Sequence, residues 1–376
     1  MFGFGRRKKR TRKANVTEET VMNALSTVIE PELQHDLVRL KMIRDVEING
    51  DKVSFTIVLK AHASPIREQL EKQCQDVVMQ KTGASKVKIH FGAEVTHDQR
   101  IRDQLKAPVG NTIAVASGKG GVGKSTVSVN LAISLAMDGA KVGLMDADIY
   151  GPNIPLMMGV KHLPPATHQR IQPAEAYGIK LMSMGFLLKP DQPVIWRGPM
   201  LHQALGQFLS DVDWGELDYL IIDMPPGTGD VQMSMTQHTP ITGGLIVTTP
   251  QNVAISDVRK GVATFHKLEV PVLGVIENMS YFIAPDTGKR YHIFGQGGGQ
   301  QYAKEIRVPF LGQLPIDPRI AAGGDAGKPI VTTEPKSPAA QAIRHVARQV
   351  ASSISVLNMN RKPEGVIGLG DIPIFE

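Results

Sequence analysis

The sequence predicts an α/β fold: a mostly parallel, doubly wound sheet preceded by a small α+β unit. Three observations carry this expectation. Short apolar runs at 113–116, 142–145, 219–222, 245–248, 272–276 and 310–314 alternate with helical stretches, the pattern of strands covered on both faces. A glycine-rich loop, Gly118-Lys-Gly-Gly-Val-Gly-Lys-Ser125, joins the first of these runs to a helix over 127–137 that stops at Gly139. Acidic residues follow later strands, Asp146 and Asp148 after one and Asp223 after another. In open parallel sheets ligands gather beyond the carboxyl ends of the strands, where all of these residues fall.

Taken in order, the chain begins with a basic tail, 1–16. Asn15 and Thr17 then offer N-caps for a helix carrying Val21, Leu25, Val28 and Ile29, broken at Pro31. Alternating strands flank an Asn49-Gly50 turn, the second over 53–59, which reads as a hairpin. Ser64-Pro65 suits the start of a second helix, and 87–91 supplies a third strand. The result is an α-β-β-α-β unit over 17–95. The polar stretch 96–108, ending at Pro108, reads as a linker. The second unit runs over 109–357 and closes with a helix over 339–356. A last segment, 358–376, mixes glycine, proline and apolar residues without a period.

Composition narrows the class. The chain has 376 residues, 42% of them hydrophobic, enough for two units with ordinary cores. No apolar run approaches the ~20 residues that cross a bilayer. The basic N-terminal stretch lacks the apolar segment of a secretory signal. One cysteine rules out a disulfide framework and suits a reducing, cytoplasmic setting. The net charge of +6 is local, because seven Lys and Arg residues lie between Arg6 and Lys13 and the remainder carries 35 basic against 36 acidic residues. No motif for reading nucleic acid follows. The tail is expected to stay solvated or to make weak, salt-dependent contact with an anionic surface.

The loop carries the chemistry. Its spacing, G-x-x-x-x-G-K-S, lets backbone N–H groups of Gly118, Lys119, Gly120, Gly121, Val122 and Gly123 curl round an anion at a helix N-terminus. Lys124 then reaches β- and γ-phosphates, and the Ser125 hydroxyl, next to Thr126, completes a Mg²⁺ site. The same glycines also satisfy G-x-G-x-x-G, with Asp146 where a ribose-binding acid belongs. Lys124-Ser125 and the second acid, Asp223, have no use in that reading and favour a nucleoside triphosphate.

Further motifs point to a family. The extra Lys119 resembles the deviant loop of MinD/ParA-type ATPases. With Asp146-Ala-Asp-Ile-Tyr-Gly-Pro-Asn153, Asp223-Met-Pro-Pro-Gly-Thr-Gly-Asp230, Thr249-Pro-Gln251 and Glu277-Asn-Met-Ser280, the chain resembles the Mrp/ApbC iron–sulfur cluster carriers. The first unit, with Glu30-Pro-Glu32, is similar to the iron–sulfur assembly domain that often precedes them. The resemblance implies an ATPase acting as an ATP-bridged homodimer, with apoprotein clients. It places Lys119 on the phosphates of the facing subunit and Asp148 beside the attacking water. It also puts Asp146 and Asp223 round Mg²⁺, and Asn278 and Pro315 near the base. By chemistry alone, Asp146 is equally a carboxylate capping a local turn, Asn278 equally an amide anchoring a loop, and Asp230 a turn residue.

One departure bears on the cargo. The family holds a bridging [4Fe–4S] cluster with a C-x-x-C pair after the Glu-Asn-Met-Ser segment, where this chain has Ala284 and Thr287. Ser64 stands where the first unit commonly has a cysteine before proline. The single thiol, Cys74, is spaced with Leu70, Val77 and Val78 on an apolar helix face, the setting of an inert core cysteine. Four thiolates ordinarily hold such a cluster. The sequence therefore supports an ATPase assisting iron–sulfur cluster assembly or transfer. A MinD/ParA-like nucleotide switch without metal is the second reading, and a dinucleotide enzyme the third.

Overall fold

A computed structural model describes residues 16–62, 64–105, 108–149, 151–167, 170–187, 198–227, 236 and 239–361. The expectations for the basic tail, for Asp230 and for the segment after 361 lie outside these residues. The chain divides into two compact units, one reaching residue 60 and including 64–94, the other comprising 61–63 and the chain from 95 onward.

The first unit opens with α1 (Glu18–Leu25). Thr17 Oγ1 accepts from Thr20 N at 3.2 Å while Thr20 Oγ1 accepts from Thr17 N at 2.9 Å, a reciprocal cap. The helix stops short of the expected Ile29. The hydroxyls of Ser26 and Thr27 donate to the carbonyls of Asn23 and Ala24 and turn the backbone away. Val28 still packs in the core, whereas Ile29 is half exposed and bridges Asp36. β1 (Ile43–Asn49) and β2 (Lys52–Leu59) pair antiparallel across Gly50, whose φ of +65° suits the turn. α2 (Arg67–Thr82) starts after the expected Ser64-Pro65, and β3 (Lys86–Ala93) lies parallel to β2. Leu70, Cys74 and Val78 of α2 pack with Val21, Phe55 and Ile57.

In the second unit, α3 (Gln99–Leu105) occupies the stretch read as a linker. Its charged residues face out, while Ile101 and Leu105, four apart, are buried in this unit's core. Asp98 accepts from Arg100 N at its start. The main sheet contains β4 (Thr112–Ser117), β5 (Val142–Asp146), β6 (Ala174–Ala176), β7 (Ile179–Ser183), β8 (Tyr219–Asp223), β9 (Gly243–Thr248), β10 (Val272–Ile283), β11 (Arg290–Tyr291) and β12 (Phe310–Ile316). Among the described residues the order is β11-β10-β9-β4-β8-β5-β7-β6, with β12 also on β10. Only β6 and β11 run antiparallel to their neighbours. All six apolar runs are strands, and β4, β5, β8 and β9 are buried throughout.

Helices cover the sheet: α4 (Lys124–Met137), α5 (Ile154–Met157), α6 (Gly198–Ser210), α7 (Asn252–Lys267), α8 (Gly298–Glu305), α9 (Pro318–Asp325), α10 (Ile330–Thr333) and α11 (Pro338–Asn360). One core gathers under α4 and α11, and another gathers under α6 and α7. α11 outruns its expected end. Asn358 donates to Asn111 Oδ1 at 2.8 Å, and Arg361 pairs with Asp98 and donates to the Thr242 carbonyl. Residues 358–361 are thus tied to the second unit rather than forming the start of a tail. No helix among the described residues is long and apolar enough to cross a membrane.

Candidate nucleotide site

β4 ends at Ser117, and the chain curls through the glycine-rich loop into α4. Two backbone positions require glycine by conformation, Gly121 at φ +80° and Gly123 at φ +83°. Gly118 is required for space, because a Cβ there would lie 2.4 Å from backbone atoms of Asp257 and Val258 in α7. The loop lines a cleft of about 430 Å³ together with Lys119, Lys124, Ser125, Thr126, Asp148, Asn153 and Pro226.

Asp223, at the end of β8, is the hub beneath it. Its Oδ2 accepts from Lys124 Nζ and from Ser125 Oγ, each at 2.6 Å, and its Oδ1 accepts from Ser128 Oγ at 2.6 Å. β8 lies between β4 and β5, so register sets Asp223 beside Val115 and Asp146. Asp148 Oδ2 stands 3.8 Å from Lys124 Nζ at the cleft wall. A hydroxyl and carboxylate oxygens beside a loop of backbone amides are the hard donors that Mg²⁺ and phosphate take. The residues present fit Mg²⁺ at Ser125 and Asp223.

Asp146, beside Asp223, meets donors of its own. Its Oδ1 accepts from Asp148 N at 3.2 Å, and its Oδ2 accepts from Ile154 N at 3.3 Å and Ser183 Oγ at 2.8 Å. Burial, and then the nearby Asp223, push its carboxyl up to about 7. Of its two sequence readings, this geometry is that of the carboxylate holding the turn that carries Asp148. Asn278 likewise shows the anchoring arrangement, its Nδ2 donating to the Val122 carbonyl at 2.8 Å. Pro315 is buried in β12 opposite Tyr281 and does not line the cleft. Lys119 does line it, half-buried, and its carbonyl accepts from Ser117 Oγ at 3.0 Å.

Sequence reasoning missed Ser128 and Ser183. Ser128 sits four residues after Lys124 on the same face of α4, so helical spacing carried the signal. Ser183 ends β7, a strand the sequence pattern did not reveal. The sites of the missing thiols are also placed. β10 and β11 pair through Phe282 and Ile283, so residues 284–289 form their connecting turn, and Thr287 is exposed there. Among the described residues no three His, Cys, Asp or Glu side chains gather as a metal site. Cys74 is fully buried, and burial pushes its thiol up to about 12. These residues do not fit a thiolate-held cluster.

Comparison with known proteins settles the lineage. The model of the ParA family, described as NUBPL iron-transfer P-loop NTPase, matches residues 108–351. The chain belongs to this family. A second model, iron–sulfur cluster assembly protein, matches residues 18–91, the first unit. An iron–sulfur cluster carrier protein from Synechocystis is 49% identical over 91% of this chain and 99% of its own length. An iron–sulfur cluster transfer protein NUBPL from Dictyostelium discoideum is 45% identical over 75% of this chain and 90% of its own. Among solved structures, a nucleotide-binding protein from Archaeoglobus fulgidus in complex with ADP matches with a TM-score of 0.56. It is 37% identical and covers 64% of this chain and 93% of its own. The α/β fold is that of this P-loop NTPase family.

Proposed function

We propose that this chain binds and hydrolyses ATP as a homodimer and uses that cycle to assist iron–sulfur cluster assembly or transfer to apoproteins. The observation that carries the nucleotide part is the junction of Lys124, Ser125 and Asp223 under a glycine loop. Phosphoryl transfer needs charge neutralisation and an oriented nucleophile more than a strong base. The loop amides and Lys124 take the β- and γ-phosphate oxygens. Asp148 orients a water towards the γ-phosphorus. As the new P–O bond forms, the bond to the bridging oxygen breaks, leaving ADP and phosphate. Ser125 and Asp223 would hold Mg²⁺, which would supply positive charge to the phosphate oxygens. Lys119 serves the facing subunit, as the family resemblance implies.

The cluster is cargo, and the names of the relatives support that role. The thiolates for holding it come from elsewhere, because Ala284, Thr287 and the sealed Cys74 offer none. That same observation favours a second reading, a nucleotide-switched scaffold that carries no metal. Iron and sulfide analysis of anaerobically reconstituted protein, beside its ATPase rate, separates the two. Stable iron and sulfide in stoichiometric amount per dimer supports direct carriage, whereas a colourless, active ATPase supports the scaffold. Failure to hydrolyse Mg·ATP sinks both.

A further inference from the structure

β10 and β12 run parallel, yet their register jumps. Glu277 faces Gln313 and Tyr281 faces Pro315, so four steps along β10 match two along β12. The surplus forms a bulge, with Met279 at φ +54°. At its start Glu277 is fully buried. Its carboxylate is satisfied by three donors from three places. Oε1 accepts from Ser280 Oγ at 2.5 Å, within the bulge, and from Gln313 Nε2 at 3.0 Å, on β12. Oε2 accepts from Gly299 N at 2.7 Å, in the first turn of α8, where the helix dipole favours negative charge.

The next residue, Asn278, is the one that reaches the phosphate loop. Its Nδ2 donates to the Val122 carbonyl at 2.8 Å. It presses so closely that a Cβ on Gly123 would lie 2.3 Å from that nitrogen. Successive residues of a strand point to opposite faces, so with Glu277 turned towards α8 the side chain of Asn278 falls on the face of the phosphate loop. The geometry points to Glu277 as a positioning residue of the nucleotide site. Its carboxylate fixes this end of β10, and with it Asn278 against Val122-Gly123, and so holds the loop in its anion-binding shape. This rests on the nucleotide reading for its functional consequence, though not for its structural one.

The test uses the full chain and two readouts on Glu277→Gln, Asn278→Ala and the double variant. The first is amide hydrogen exchange, without nucleotide, of peptides spanning the loop. Each single substitution is expected to speed exchange there about tenfold, and the double variant no further than Asn278→Ala alone. The second is the Kd for Mg·ATP, expected to rise about tenfold in each single variant with the same lack of additivity. A lower melting temperature with unchanged loop exchange overturns the positioning role, as do effects that multiply in the double variant. Should Glu277→Gln fail to fold, Ser280→Ala removes one donor and is expected to show a smaller change of the same kind. Absence of Mg·ATP binding by the unaltered chain would sink the nucleotide reading, while loop exchange would still decide the role of Glu277.

Discussion

Lys124 Nζ lies 2.6 Å from Asp223 Oδ2, and both side chains are buried. The loop lysine is thus held directly by the strand-end acid. Removing it leaves a carboxylate sealed with only hydroxyl donors. Lys124→Ala is expected to abolish detectable ATP turnover and also to cost about 3 kcal/mol or more of stability. Adding Asp223→Asn to that variant is expected to restore part of the stability and none of the turnover. Denaturant titration beside phosphate-release assays reads both, and a fully stable Lys124→Ala would contradict the pairing.

Asp148 sits at the cleft wall, its Oδ1 accepting from Gly151 N at 3.3 Å. Its Oδ2 stands 3.8 Å from Lys124 Nζ, too far for a hydrogen bond. Asp148→Ala is therefore expected to bind ATP nearly as well as the parent while hydrolysing it about 10²-fold more slowly or worse. Single-turnover kinetics with labelled ATP makes the distinction, and unaltered turnover would remove Asp148 from its assigned role.

Cys74 gives a chemical prediction. A fully buried thiol with its ionisation pushed to about 12 presents almost no thiolate near pH 8. Alkylation by iodoacetamide is expected to be slow in the folded protein and rapid in denaturant. Cys74→Ala is expected to leave the iron content after reconstitution unchanged. Loss of bound iron in that variant would show that the thiol reaches a cluster.

Glu30 makes the first unit sensitive to pH. Burial, opposed by the hydrogen bond from Leu33 N and reinforced by Glu32, raises its carboxyl from 4.5 to about 7. The folded state therefore holds a proton that the unfolded state has already released between pH 4.5 and 7. The stability this group contributes is present in full below its unfolded value and is lost as pH rises through about 7. Glu30→Gln is expected to flatten that decline, measured by thermal melting of the full chain from pH 5 to 8. Parallel curves for parent and variant would assign the decline to other groups.

The parts of this protein that were legible in its sequence were local. The six strands announced themselves as short, largely apolar runs, and four of them, β4, β5, β8 and β9, are covered on both faces. The hairpin was marked by Asn49-Gly50. β6 escaped because it has three residues, and β7 because Lys180 and Ser183 interrupt its apolar run; the two meet at a turn through Tyr177-Gly178, with φ of +53° and +76°. α3 escaped because two apolar residues among charges look like a linker until the core that receives Ile101 and Leu105 exists. Ser128 was readable by spacing, and Ser183 was not, because it acts across strands.

The amino-acid order alone determined the phosphate loop, the acids that end the strands, and the want of a thiol pair, since these are matters of residue identity and short-range spacing. Tertiary structure decided which donors each acid meets. Strand register set Asp223 under Lys124 and Ser125, while the turn at Asp148 and the end of β7 closed round Asp146. It decided also that Asn278 leans on Val122, because contacts from β12 and α8 hold its neighbour Glu277 on the opposite face of β10. Such bonds join residues far apart in the chain, and only the packed fold brings them within reach.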